Sequence, residues 1–116
     1  MERQKEAQIG LKAKLTQLEM NETEYQRILN GPPDSVTMRS GMVRLAPGTS
    51  VGIHNTNSYE ELIIVLEGKG EFRITGQEPL AIEYGTIAYC PPETEHNVIN
   101  TGSSALRYIY VVAKVK

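Results

Sequence analysis

Beyond residue 35 the hydrophobic positions gather into short runs, at residues 36–46, 61–66, 71–75, 80–83, 86–90, 97–100 and 106–115. Turn-forming residues stand between them: Pro47-Gly48, Gly68-Lys69-Gly70, Thr75-Gly76, Gly85, Pro91-Pro92 and Thr101-Gly102. Strand-length runs at this spacing, with no helix-length segment among them, predict an antiparallel sandwich or barrel. Two runs, 62–66 and 109–113, carry apolar side chains at both odd and even positions. A strand with one wet face alternates apolar and polar residues, so a second cover is expected over these two. Either the N-terminal segment or a second subunit supplies it, and a homodimer is the expectation.

Residues 1–30 follow a different pattern, rich in Glu, Gln, Lys and Leu, with Gly10 the only glycine and no proline. Leu11, Leu15, Leu18, Tyr25 and Leu29 recur at three- and four-residue intervals, which predicts a helical extension. Glu22 interrupts the stripe, and Asn21 with Glu24 resembles a capping box, so two helices broken near Asn21 are an alternative. Leu29-Asn30-Gly31-Pro32-Pro33 ends any helix. The division is then an N-terminal helical extension over 1–30 and an all-β barrel over 31–116.

At 116 residues with one cysteine, a single core forms without disulfides, since roughly two-thirds of the unfolded surface is buried at this size. Twelve basic against fourteen acidic residues give a net charge of -2, and no basic cluster stands ready to neutralise phosphates. Nucleic acid is therefore not an expected partner. The longest aliphatic run, 62–66, falls far short of the roughly 20 residues of a membrane span, so no membrane partner and a cytoplasmic location are expected.

The candidate chemistry centres on the two histidines, His54 and His96. Glu61 opens the most apolar strand, and a carboxylate there needs a cation or a buried hydrogen bond, because an unpaired charge is costly to desolvate. Cys90 reads as a small buried hydrophobe. Tyr59, Tyr84, Tyr89, Tyr108 and Tyr110 read as packing residues or as the rim of a pocket. Arg39 and Arg44 read as solvated surface, with contact to an anionic substrate as the alternative.

In that setting two motifs resemble those of the cupin superfamily. The first runs Gly48, five residues, His54, Asn55, Thr56, four residues, Glu61, six residues and Gly68. The second runs Gly85, five residues, Pro91, Pro92, Glu93, two residues, His96, three residues and Asn100. The resemblance covers about residues 36–113 and implies a double-stranded β-helix, a jelly-roll barrel with a metal in its mouth. Carried over position by position, it makes His54, Glu61 and His96 the metal ligands. Two imidazoles and a carboxylate suit a divalent transition metal such as Fe, Mn, Ni, Cu or Zn. Two departures stand out. Thr56 occupies the family's second histidine position, where it either positions a water in the pocket or marks a vestigial site. Glu93 replaces a turn glycine, at a cost of about 1 kcal/mol if that turn has positive φ. Asn100 belongs to the same pocket-or-positioning group, with a loop-securing role as its simpler reading.

The implied function is a small cupin with a divalent-metal site that acts on or binds a small metabolite: a sugar, a sugar phosphate or a small carboxylate. Isomerase and dioxygenase chemistry are the enzymatic options, with acid-base work falling to metal-bound water, a tyrosine or a spare carboxylate such as Glu60. The alternative is a non-catalytic ligand-binding or structural cupin.

Overall fold

The computed structural model describes residues 11–115, and every regular element among them is a β-strand. The strands are β1 (Tyr25–Asn30), β2 (Arg39–Leu45), β3 (His54–Asn55), β4 (Tyr59–Glu67), β5 (Lys69–Ile74), β6 (Leu80–Glu83), β7 (Ile87–Cys90), β8 (Glu95–Ile99) and β9 (Leu106–Lys114). They form a five-stranded sheet in the order β1-β2-β9-β4-β7 and a four-stranded sheet in the order β3-β8-β5-β6. All the pairings are antiparallel. The two sheets face each other as the jelly-roll barrel of a double-stranded β-helix. No helix among the described residues is long and apolar enough to cross a membrane.

Period-two alternation builds the core. Along β4, Glu61, Ile63 and Val65 are buried between the sheets, while Leu62 and Ile64 turn to the outer face. Along β9, Leu106 and Tyr108 point inward beside them. Phe72, Val98 and Ile82 answer from the second sheet. Burying one such large apolar side chain contributes about 1.5–3 kcal/mol, so a layer of this kind dominates the stability. Gly68 shows how tightly the first motif's closing turn is packed: φ is +81°, and a Cβ there would stand 2.1 Å from the Ala105 carbonyl oxygen.

The expected helical extension is not found. Residues 1–10 lie outside the described residues, 11–20 have no regular structure, and Tyr25–Asn30 is strand β1. The Asn21 side chain does accept the Thr23 backbone N–H at 2.8 Å, but the chain leaves that turn as a strand. Ladder pairing with β2 and the Tyr25 ring seated on Gly41 win over local propensity, since a helix of this length gains little without a packed face. Gly41 is required there, because a Cβ would lie 2.6 Å from the Tyr25 hydroxyl.

The N-terminal segment nevertheless covers part of the outer face, as an extended strap. The Gln26 side chain donates to the Gln17 carbonyl at 2.9 Å and accepts the Glu19 N–H at 2.8 Å. Arg107, on the outer face of β9 and only 3% exposed, donates to the Asn21 carbonyl at 2.6 Å and pairs with Glu67 at 2.7 Å. Met42, the cross-strand neighbour of Gln26, is 1% exposed on that outer side. Farther along the same face Leu62, Ile87 and Tyr89 remain exposed.

Candidate metal centre

Register delivers the site. In the short ladder between β3 and β8, His54 stands directly opposite His96, so both rings project from the second sheet to the same side, with centroids 4.3 Å apart. Glu61 reaches them from the first sheet. His96 Nε2 lies 2.7 Å from Glu61 Oε1, with both side chains buried. One ligand atom from each of His54, Glu61 and His96 falls within 4.8 Å of the others. The three residues singled out from the motifs are thus brought together across the two sheets.

The backbone fixes which imidazole nitrogen faces inward. His54 Nδ1 lies 2.8 Å from the Gly52 carbonyl oxygen, and His96 Nδ1 lies 2.8 Å from the Thr94 carbonyl oxygen. A carbonyl only accepts, so each Nδ1 carries the proton and donates it. In a neutral ring Nε2 then bears the lone pair, and at His96 that nitrogen points at a carboxylate. Two acceptors 2.7 Å apart need a cation or a shared proton between them. Metal-bound histidines are held by this kind of Nδ1–H to carbonyl bond, and the donor set of two imidazoles and one carboxylate fits a borderline divalent ion.

Without a metal, a proton fills that role. Burial pulls the His96 pKa down, but the Glu61 hydrogen bond, the Thr94 carbonyl and the Glu61 charge together outweigh it, leaving the imidazolium favoured above its ordinary range. Phe72 packs edge-on against the His96 ring, with centroids 5.5 Å apart, which fixes its orientation. Cys90 Sγ sits 3.5 Å from His96 Nδ1. The thiol is fully buried, and burial followed by the Glu61 charge pushes its pKa up to about 11. It stays protonated at neutral pH, as a packed hydrophobe should.

A cavity of about 300 Å³ opens beside the triad, lined by His54, Thr56 and Glu61 on one side and by Val98, Tyr108, Tyr110 and Val112 among others. Thr56 therefore does face the pocket, although its hydroxyl donates to the Tyr59 carbonyl at 2.9 Å. Asn100 is not brought to the pocket. It is fully buried, its amide donates to the Leu45 and Ser104 carbonyls, and its oxygen accepts the Gly102 N–H. These three bonds lock the loop between β8 and β9. Glu60 turns to the outer face, where it accepts a hydrogen bond from the Tyr89 hydroxyl at 2.8 Å, so it offers no acid or base to the cavity. Glu93 has φ of +55° beside the similarly strained Asn57 at +56°, and its N–H donates to the Asn57 carbonyl at 2.7 Å.

Two placements that the sequence left open are settled by the structure. Tyr110 and Tyr25 share a hydroxyl–hydroxyl bond of 2.7 Å at the cavity wall. Burial, with that bond, raises the Tyr110 pKa well above the phenol range, so its hydroxyl serves as a hydrogen-bond partner and not as a base. Arg39 also lines the cavity, whereas Arg44 sits on the opposite face of β2. Both placements depend on strand register, which apolar runs alone leave open.

Comparison with known proteins agrees with this architecture. An oxalate-binding protein of Thermotoga maritima is 30% identical over 70 residues, covering 60% of this chain and 57% of that protein. The chain thus spans less than two-thirds of that relative's length. A Cupin 2 conserved barrel domain protein from Salinispora arenicola superposes with a TM-score of 0.70 at 21% identity, covering 90% of this chain and 91% of that one. An RmlC-like cupin family protein from Methanocaldococcus jannaschii superposes at 0.69 and 22% identity, covering 88% and 91%. With the Cupin domain family model matching residues 41–112, and so including both histidine motifs, this chain belongs to the cupin family.

Proposed function

We propose that His54, Glu61 and His96 hold a divalent transition metal and that the adjoining cavity binds a small metabolite through oxygen atoms presented to that metal. The observation that carries this reading is the pair of imidazoles whose Nδ1 protons are tied to the carbonyls of Gly52 and Thr94, so that each neutral ring presents its Nε2 lone pair as the donor, at His96 directly towards the Glu61 carboxylate. A bound metal would supply Lewis-acid polarisation of a substrate oxygen, or redox chemistry for an oxidisable ion. The protein's own share is to hold the ligand against an apolar wall, keep Tyr108 and Tyr110 protonated as donors, and exclude bulk water. Isomerase or dioxygenase activity on a sugar, sugar phosphate or small carboxylate fits such a pocket, and the oxalate-binding relative supports the carboxylate class.

A second reading, a ligand-binding cupin that performs no chemistry, is favoured by Thr56, whose hydroxyl is committed to the Tyr59 carbonyl where the family motif has an imidazole. Elemental mass spectrometry on untagged protein, before and after chelation, tests the metal. Near-stoichiometric iron, manganese, nickel, copper or zinc that is lost in His54→Ala supports the first reading. Protein that neither carries nor takes up these ions overturns it. The same proposal includes a homodimer: Leu62 pairs with Tyr89, and Ile64 with Ile87, across β4 and β7, leaving an apolar patch on an edge strand that a second copy would cover. A light-scattering mass of one chain at micromolar concentration refutes the dimer.

A further inference from the structure

Alternation along the first histidine motif breaks at one place. Val51 and His54 both line the triad's cavity, yet they stand an odd number of positions apart, and a regular strand sends such residues to opposite faces. Ile53, which alternation from Val51 would turn inward, is 72% exposed. Upstream of the break, Ser50 bridges Ile99 and the Val51 N–H donates to the Val98 carbonyl at 3.1 Å. Downstream of it, His54 stands opposite His96 and Asn55 opposite Glu95. The chain thus advances from Ser50 to His54 while its partner advances only from Ile99 to His96, so one residue is bulged out between Val51 and His54.

This bulge decides which way His54 faces. Continued without it, the Ser50 register would set Ile53 opposite His96 and turn His54 outward, away from Glu61, because a slip of one residue reverses every side chain. Two residues hold the bulge. Gly52 takes φ of +96°, a conformation that costs glycine nothing and other residues strain. Its N–H donates to Asn97 Oδ1 at 2.9 Å. Asn97 lies on β8 between the buried side chains of His96 and Val98, so its own side chain is on the outer face and reaches the bulge from there. The Gly52 carbonyl in turn braces His54 Nδ1, and the residue that Asn97 holds is therefore the one that orients the ring. His96 has further support, from Phe72 against its ring and from strands on both sides of β8. His54 is exposed, on an edge strand of two residues, and a ladder that short fixes little register alone.

We infer that Asn97 is a positioning residue for the metal centre: its side-chain oxygen clamps the Gly52 bulge in the register that turns His54 inward, opposite His96. This rests on the metal-site reading above and adds a residue that touches neither the ion nor its ligand atoms.

The test pairs Asn97→Leu, which keeps the volume and removes the acceptor, with Asn97→Asp, which keeps an acceptor. Cu(II) is the probe, because its electron spin-echo modulation counts coordinated imidazoles. Wild type and Asn97→Asp are expected to show two. Asn97→Leu should show one, with an affinity at least tenfold below wild type and within threefold of His54→Ala. Adding Asn97→Leu to His54→Ala should cost no more than a further twofold, since both changes act through one ligand. Two imidazoles at wild-type affinity in Asn97→Leu overturn the assignment, as does an Asn97→Asp that fails in the same way as Asn97→Leu. In metal-free protein, nuclear Overhauser contacts between the two histidine rings should be present in the wild type and lost in Asn97→Leu. If the wild type binds no Cu(II), the metal reading fails separately and these contacts decide Asn97: their persistence in Asn97→Leu, or their absence from the wild type, overturns the clamp. If Asn97→Leu does not fold, hydrogen exchange of the wild-type Gly52 amide decides instead. Slowing of at least a hundredfold against an unfolded chain is expected, and exchange at the unfolded rate overturns the clamp.

Discussion

Replacing Glu61 by glutamine separates the two jobs its carboxylate performs. In metal-free protein, Glu61 accepts the His96 Nε2 proton at 2.7 Å in a pocket that leaves the glutamate 7% exposed. Glutamine is nearly isosteric, and its amide donates to the lone pair of a neutral His96, so no buried polar atom is orphaned. The loss is the difference between a charge-assisted bond, about 1.5–3 kcal/mol, and a neutral one, about 0.5–1.5 kcal/mol. That difference is about 1 kcal/mol, or about 4 °C in Tm for a domain of this size. The pH dependence should change as well. His96 has a folded pKa raised above its unfolded value, so its contribution is fully present below about pH 6.5 and is lost as pH rises through the higher folded value. Glu61→Gln removes the hydrogen bond and charge that raise it, and this decline should disappear. Urea denaturation of chelated wild type and variant between pH 5 and 9 reads both effects. Metal uptake, by contrast, should weaken at least a hundredfold, because an amide oxygen replaces an anionic ligand. A metal-free variant that loses 4 kcal/mol or more, or that keeps the wild-type pH slope, would falsify the shared-proton account of this pair.

Cys90 should resist alkylation at pH 8 in the native state and react fully once unfolded in urea, since its thiol is buried and its pKa is pushed up to about 11; rapid native labelling would contradict that burial. Arg107→Ala should release the strap, leaving Glu67 without its partner and the Asn21 carbonyl without its donor. Limited proteolysis should then cut within residues 11–22 at least tenfold faster than in the wild type, and an unchanged cleavage rate would show that the strap is held elsewhere. Gly68→Ala should destabilise the fold by more than about 2 kcal/mol, combining an unfavourable positive φ with backbone overlap. A loss below 0.5 kcal/mol in urea would mean that the turn relaxes freely.

The strands of the barrel were legible because their residues obey two rules at once: apolar runs of strand length, and turn residues with a steric reason to be there. Each of the seven expected runs begins or ends within about two residues of the corresponding end of an observed strand. The misreading of residues 11–30 has a specific cause. Leu11, Leu15, Leu18 and Tyr25 keep helical spacing, but the Tyr25 partner is Gly41, sixteen residues away, and nothing local encodes that contact. The two-residue strand His54–Asn55 was invisible for the complementary reason, being defined only by its pairing with β8. The ligand trio was readable because motif spacing is tied to strand and turn lengths. Arg39 was not placed, since deciding between surface and cavity needs the face of β2, and one residue of slip reverses it.

Thr56 costs this site less than the motif departure implies, and the reason lies in the backbone. A metal site assembled from flexible side chains loses orientation when one ligand is removed. Here each histidine carries its own brace, a carbonyl two residues earlier that accepts the Nδ1 proton, and both braces belong to the turns leading into β3 and β8. The ladder pairing of His54 with His96 then sets the spacing of the rings, and Glu61 is held by β4, an interior strand of the opposite sheet. None of these constraints passes through residue 56. The arrangement of the three remaining ligands is therefore a property of the barrel, and restoring imidazole with Thr56→His should tighten metal binding at least tenfold without reordering the other three. Competition with a chelator of known affinity measures this directly, and equal affinity in the two proteins would show that residue 56 does not point at the ion.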